Sequence, residues 1–204
     1  MKLKGGINMA NCCCTNMHIY CDDTEKLNNL NSLIDEWISK DYMPNGFGHH
    51  WLGNIVLGSG VGTVDTNKET DLSCRGTLLY KDICGGELTI ETETAWSPMM
   101  EMWIKIIDKY LPNANLFYTA EEPGCGIFYT NDPDYVDKYV IDSWNENIES
   151  NWEASEENVR ELLQEMLETD ETDVKKLIDM FYYSDLEEDI SINQWEYVSE
   201  YELS

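Results

Sequence analysis

Hydrophobic and polar residues alternate along Thr15–Cys21, with Met17, Ile19 and Cys21 falling on one face. Alternation with a period of two is typical of a strand that buries one side. The apolar spacing then changes to that of a helix, and Asp22, Asp23 and Thr24 stand before it as possible N-caps. This pattern predicts a strand followed by a helix near 24–39, whose apolar stripe is Leu27, Leu30, Ile34, Trp37 and Ile38.

Four further strand patterns follow a glycine-rich insertion at 41–72. Strands are predicted near 75–80 and 87–94, joined by a hairpin connection at 81–86, and then near 115–120 and 127–130. Ser97 and Pro98 suit the cap and the first position of a helix between the second and third of these strands. The order β-α-β-β-α-β predicts a ferredoxin-like α+β domain over 9–141, with an antiparallel sheet and two helices on one face. A possible edge strand at 136–141 closes this domain.

The pattern changes after residue 142, where capped amphipathic segments replace the strands. Ser155 is a suitable N-cap for a helix with an apolar stripe. Thr169 or Asp170 is a suitable N-cap for a second helix. Ser191 and Gln194 match a capping box for a third helix, which would contain Trp195. We therefore expect residues 142–204 to form a separate helical subdomain with an acidic exterior.

Charge is distributed unequally between these regions. Residues 134–204 carry 22 Asp and Glu against 4 Lys and Arg, within a net charge of −27 for the 204-residue chain. So negative a field repels nucleic acid and anionic membranes and attracts basic protein surfaces. No run of about 18 apolar residues would span a membrane, and the first six residues do not resemble a signal peptide. Seven cysteines, three of them consecutive, favour free thiols in the cytoplasm.

Three stretches together resemble the YubB-like ferredoxin-fold family of plasmid- and phage-borne proteins: Met9-Ala10-Asn11-Cys12-Cys13 with Asn16, Thr94-Ala95-Trp96-Ser97-Pro98, and Tyr118-Thr119-Ala120-Glu121-Glu122-Pro123-Gly124 before Ile127-Phe128. The resemblance covers about 9–130. It departs from the family where a cysteine stands in place of Trp near the start, and where Met99 replaces a second Pro. The resemblance implies the fold and a mobile-element origin, with Met9 or Met1 as the natural start, and it implies no particular chemistry.

Two groups of residues raise the question of a metal site. Cys12, Cys14, His18, His49 and His50 are ligand types that zinc prefers, but their spacing does not match a zinc knuckle. Residues 185–196 match the ligand spacing of an EF-hand loop from Asp185 to Glu196. Ile190, however, stands at the sixth position, where the sharp turn requires glycine. Buried thiols and a plain loop between helices are the simpler interpretations, so we predict no metal, no cofactor and no catalytic residue.

The acidic C-terminal region is the remaining candidate, because a net charge of about 2–8 already suffices for solubility. We predict that the protein is not an enzyme and that it inhibits a host defence protein, such as a CRISPR effector or restriction complex, in the bacterial cytoplasm. It would occupy the basic groove that holds nucleic acid. Two alternatives stay open: a Cys/His metal-dependent protein or enzyme, and a scaffold or small-molecule sensor whose acids serve solubility. The predicted partner-binding residues are Glu153, Glu156, Glu157, Glu161, Glu165, Glu168, Asp170, Glu171, Asp173, Asp185, Glu187, Glu188, Asp189 and Trp195.

Overall fold

The computed structural model describes residues 11–40, 42–43, 47–184 and 190–203. They fold as two compact units: the first runs to Asn131 and resumes at Val198, and the second spans Asp132–Tyr197. This division differs from the expected boundary after residue 141. The second unit begins ten residues earlier, at Asp132, and residues 198–204 belong to the first unit. The fold class, α+β, is confirmed. Within the described residues, no helix is long and apolar enough to cross a membrane.

The first unit is built on the larger of two sheets. Its strands are β1 (Cys12–Tyr20), β2 (Gly76–Cys84), β3 (Glu87–Ala95), β4 (Asn115–Glu122) and β5 (Ile127–Thr130). The spatial order is β2-β3-β1-β4-β5, and each neighbouring pair is antiparallel. Burial alternates along β1, with Cys13, Met17 and Ile19 fully buried. The alternation read from the sequence is therefore confirmed.

Two longer helices of this unit contribute their apolar stripes to the core formed with β1 and β3. They are α1 (Thr24–Ser39) and α3 (Met100–Tyr110). The prediction of a helix near 24–39 is confirmed, and Asp23 caps it by accepting a hydrogen bond from the Lys26 amide. The prediction that Ser97 caps the other helix is wrong. That helix begins at Met100, and the Ser97 carbonyl instead accepts from Thr94 Oγ1 at 2.8 Å.

The glycine-rich insertion is more ordered than a loop, because it contains the eight-residue helix α2 (Leu52–Ser59). Two of its glycines are required by packing. A Cβ on Gly53 would lie 2.3 Å from the Trp51 ring, and one on Gly58 would lie 2.5 Å from the Trp37 ring. Glycine at these positions therefore allows aromatic rings to approach the helix backbone closely.

The second unit also combines a sheet with helices. Its strands are β6 (Tyr139–Ser143), β7 (Asn151–Ala154) and β8 (Ile190–Gln194), in the order β7-β6-β8, and its helices are α4 (Glu156–Leu167) and α5 (Val174–Tyr182). The two-residue strand β9 (Glu196–Tyr197) ends the second unit, and the chain returns to the first unit at Val198.

The prediction of a helical subdomain is therefore confirmed for its first two helices and wrong for its third. The segment beginning at Ile190, predicted as the start of a third helix, is a strand that pairs with β6. Ile190 and Ile192 alternate into the core at 2% exposure each, and burying this β-branched pair outweighs the capping-box spacing of Ser191 and Gln194. The segment predicted as an edge strand contains part of β6, which is the central strand of this sheet.

Candidate functional site

Helix α4 is the best-defined acidic element of the second unit. It begins after Ser155, whose side chain accepts a hydrogen bond from the Asn158 amide at 3.2 Å, while Asn158 Oδ1 accepts from the Ser155 amide at 2.9 Å. Val159 and Leu163 are fully buried, so they fix which face of the helix contacts the core. The face away from these two residues is exposed and carries glutamates.

Four exposed glutamates, Glu157, Glu161, Glu165 and Glu168, follow one another at steps of four, four and three residues. We call them the α4 acidic stripe. Since an α-helix rises 1.5 Å per residue, neighbouring backbone positions in this stripe are about 4.5–6 Å apart along the helix axis. Arg160 is the one basic residue in the sequence of this helix, and it lies 3.6 Å from Glu157. The rest of the stripe forms a row of like charges at a regular interval.

This row opposes the stability of the helix that carries it. Like charges three or four residues apart destabilise a helix by about 0.2–0.5 kcal/mol per pair. Acidic residues near a helix C-terminus also interact unfavourably with the helix dipole, and Glu165 and Glu168 lie there. Glu168 additionally has a left-handed backbone, with φ 50° and ψ 48°, where glycine is the usual residue. Helix formation alone therefore does not explain this choice of residues.

The other predicted acids of this region serve different roles. Glu153 accepts a hydrogen bond from Tyr135 Oη at 3.1 Å. Burial of Tyr135, and to a lesser extent this hydrogen bond, raises the pKa of Tyr135 to about 12. Asp173 caps α5 by accepting from the Lys176 amide, which corrects the predicted cap at Thr169 or Asp170. The Glu171 carboxylate accepts from the amides of Thr172 and Asp173, and these bonds lower its pKa. Glu156 and Asp170 are exposed.

Trp195 is not a surface anchor. It is 5% exposed, its Nε1 donates to the Trp152 carbonyl at 2.9 Å, and its ring lies 5.6 Å from that of Tyr135. The exposed aromatic side chains of this unit include Tyr183, 92% exposed, and Trp144, 67% exposed. Sequence reasoning missed Trp144, although a large apolar residue isolated before the polar stretch 145–147, with no periodic apolar partners, indicates exposure.

Part of the predicted site lies outside the described residues, namely Asp185, Glu187, Glu188 and Asp189. The same holds for the first five positions of the possible calcium loop. Its following five positions are β8, an extended strand paired with β6. An EF-hand loop leads into a helix, whereas here β8 is followed by the strand Glu196–Tyr197. The described residues therefore lack the second helix of an EF-hand.

The cysteine and histidine residues do not assemble. Cys12, Cys14 and His18 share one face of β1, but His18 Nδ1 lies 2.6 Å from Glu87 Oε1, while His49 and His50 are exposed in a turn before α2. Across the described part of the chain, no three His, Cys, Asp or Glu side chains form a metal-binding group. Strand alternation places Cys12, Cys14 and His18 on β1, whereas His49 and His50 lie in a separate turn, so the five side chains do not form one site.

Two thiols at the start of β1, Cys12 and Cys13, are disfavoured as thiolates. Burial raises the pKa of Cys13 to about 11, and burial followed by the charge of Glu93 raises the pKa of Cys12. Since the thiolate is the reactive form, a raised pKa suppresses reactivity near neutral pH.

The three stretches that carry the family resemblance meet at one end of the larger sheet. Ala95 pairs with Cys12 across β3 and β1, and Glu121 pairs with Cys14 across β4 and β1. The Trp96 amide then donates to the Asn11 carbonyl at 2.9 Å. Met9 and Ala10 lie outside the described residues. The described parts of the three stretches, although far apart in the sequence, therefore lie side by side at this end of the sheet.

Comparison of the chain with models of protein families, with curated proteins and with solved structures gives no match.

Proposed function

We propose that this protein acts by binding, without catalysing a reaction, and that its second unit occupies a basic surface on another protein. The observation that carries the proposal is the α4 acidic stripe, whose four exposed carboxylates are kept on one helix face although the like charges repel one another and two of them lie at the helix C-terminus. Self-repulsion of this kind is retained where the charge itself is used.

The spacing of the stripe suits a surface that normally holds nucleic acid. Grooves lined with Lys and Arg bind the regularly repeated charges of a phosphate backbone. A rigid row of carboxylates at intervals of about 4.5–6 Å presents a similar repeat. Trp144 and Tyr183 lie in the same unit and offer the aromatic area that specific interfaces use as anchors.

We further propose that the partner is a nucleic-acid-binding defence protein in a bacterial cytoplasm, and that the protein belongs to a mobile element. The resemblance to the YubB-like family motivates this origin. A ferredoxin-like framework for the first unit is part of the proposal. It is supported by the antiparallel order β2-β3-β1-β4, with α1 following β1 and α3 following β3. Helix α2 and strand β5 are additions to that framework.

The test is a pull-down from a bacterial lysate, followed by displacement of nucleic acid from the purified partner. The stripe variant Glu157→Gln, Glu161→Gln, Glu165→Gln and Glu168→Gln removes four charges. A control variant, Asp22→Asn, Glu25→Gln, Glu69→Gln and Asp108→Asn, removes four exposed charges from the first unit. We expect the stripe variant to lose displacement and the control to retain it, with binding that weakens steeply as salt rises.

Recovery of no nucleic-acid-binding protein at low salt would contradict the proposal. So would equal loss of displacement in both variants, since that result would indicate that net charge alone, rather than the placed stripe, is responsible.

A further inference from the structure

A cleft of about 660 Å³ lies at the end of the larger sheet where β1 begins and β3 ends. Its lining includes Phe47, Trp51, Trp96, Arg75, Glu93 and Cys12, all from the first unit. Clefts of roughly 300–1,000 Å³ are the size of typical ligand sites. The acidic helices of the second unit supply none of these lining residues.

Aromatic rings form much of the lining of this cleft. The rings of Phe47 and Trp51 lie 5.4 Å apart at 50°, and Phe47 is 79% exposed. Trp96 lines the cleft as well and is 57% exposed. Large aromatic side chains left this open to water, converging on one concavity, are typical of a binding surface.

The backbone holds Trp96 in an unusual conformation. Its φ is 75°, a region that glycine or asparagine adopts readily and a bulky side chain rarely does. Distant contacts maintain this geometry: the Trp96 amide donates to the Asn11 carbonyl, and the preceding Ala95 amide donates to the Arg75 carbonyl at 2.8 Å. A tryptophan kept at such a position places its ring at the cleft at the expense of backbone strain.

The charge around the cleft favours a cation. Glu93 contributes a carboxylate to the lining, and Glu91 lies two residues from it on the same face of β3. Aromatic faces carry partial negative charge, so they too attract cations. Arg75 is the exposed basic residue at the cleft, and within the described residues it forms no ion pair with Glu93.

We propose that this cleft binds the guanidinium group of an arginine side chain presented by a protein partner. A guanidinium is planar, so it stacks on the Trp96 ring while its N–H groups donate two parallel hydrogen bonds to the Glu93 carboxylate. A lysine ammonium lacks the planar face and the paired donors. The inference concerns the first unit alone and does not depend on the function proposed for the acidic stripe.

The test uses the full-length chain and a capped Gly-Arg-Gly peptide, with binding followed by NMR of the tryptophan indole N–H signals. Matched peptides carry citrulline, which is neutral and nearly the same shape, or lysine. We expect the indole signals of Trp51 and Trp96 to shift while that of Trp144 stays unchanged. The citrulline peptide should bind about tenfold more weakly, because it lacks charge-assisted hydrogen bonds. The lysine peptide should bind at least about threefold more weakly.

Three variants separate charge from shape. Trp96→Gly removes the ring at a backbone conformation that glycine adopts freely, and should weaken binding about three- to thirty-fold. Glu93→Gln should weaken it by a similar factor, whereas Arg75→Ala should strengthen it about two- to fourfold by removing a like charge. Trp144→Gly is the matched control and should leave the affinity unchanged.

The proposal is overturned if the arginine peptide does not bind at millimolar concentration or binds no better than the citrulline peptide. It is also overturned if Arg75→Ala weakens binding of the arginine peptide, since loss of a like charge beside a guanidinium held by Glu93 should strengthen that binding. Circular dichroism of each variant shows whether a lost affinity is accompanied by lost folding. If Trp96→Gly is unfolded, the opposite effects expected for Glu93→Gln and Arg75→Ala decide the matter.

Discussion

The first unit holds its candidate recognition chemistry in a single shaped cleft, whereas the second unit repeats one charge along a regular helix. Trp96 reaches its place through a strained backbone supported by distant strands. The α4 acidic stripe needs only helical periodicity and a buried opposite face. Residues 132–197 carry 21 acids against 4 bases, while the rest of the chain carries 19 against 9. On the two proposals made above, selectivity would depend on shape in the first unit and on charge density in the second.

The two cores differ as well. The hydrophobic cluster of the first unit joins three helices to the sheet, while that of the second unit comprises ten buried residues between α4, α5 and a three-stranded sheet. A small core must offset the self-repulsion of many carboxylates. We expect the second unit to be the less stable of the two and the more responsive to salt.

Phe181→Ala offers the largest test of this difference. Phe181 is fully buried in the core of the second unit, and truncation of a buried Phe costs about 3–5 kcal/mol. We expect amide hydrogen exchange to accelerate throughout β6, α4 and α5 while β1 and β3 stay protected. The control is Tyr183→Ala at the end of the same helix, which is 92% exposed and should change stability by less than about 0.5 kcal/mol. Uniform acceleration in both units would contradict their independence.

The two exposed tryptophans provide a second test, of intermediate size. Trp96→Gly relieves a left-handed conformation that disfavours an L-residue by roughly 1–2 kcal/mol, so it should raise the thermal midpoint. Trp144 has no such backbone, and Trp144→Gly should lower the stability by about 0.5–1 kcal/mol through added chain entropy. If both substitutions destabilise, Trp96 supports the fold by packing, and strain at this position has no functional meaning.

The stripe variant gives the smallest effect. Neutralising Glu157, Glu161, Glu165 and Glu168 removes three neighbouring like-charge pairs, worth about 0.6–1.5 kcal/mol, but also the Glu157–Arg160 ion pair, worth about 0.2–0.5 kcal/mol. The net effect should be a stabilisation of up to about 1 kcal/mol. The gain should diminish in 1 M salt, where exposed charges are screened beyond about 3 Å. Denaturant unfolding at both salt concentrations measures it, with the four-charge variant of the first unit as control. A gain that is independent of salt would show that glutamine acts through helix propensity instead of charge.

Regular amphipathic elements were predictable from the sequence, whereas features set by distant contacts were not. The stripe and cap of α1 are both local, and they are confirmed. Helix α2 was not predicted, because glycines such as Gly53 and Gly58 are typical of loops. Their presence in a helix is explained only by the rings of Trp51 and Trp37, which pack against them. The capping-box spacing of Ser191 and Gln194 predicts a helix from local sequence, whereas the alternation of Ile190 and Ile192 is decided by pairing with the distant strand β6.

The candidate sites follow the same rule. Exposure of the α4 acidic stripe followed from helical periodicity, since Val159 and Leu163 mark the buried face. Burial of Trp195 did not, because its neighbours Trp152 and Tyr135 are more than forty residues away in the sequence. The positive φ of Trp96 is likewise maintained by contacts with Asn11 and Arg75, which are distant in sequence. The local sequence therefore predicts only an ordinary strand end.

The return of the chain to the first unit at Val198 sets an order of events during synthesis. Tyr118 Oη donates to the Val198 carbonyl at 2.7 Å, and Asn131 Nδ2 donates to Glu200 Oε2 at 2.8 Å. A ribosome translates the whole second unit before it reaches these acceptors. The first unit therefore gains these two hydrogen bonds only after the second unit has been translated. The unit whose translation begins first is thus the last to be completed.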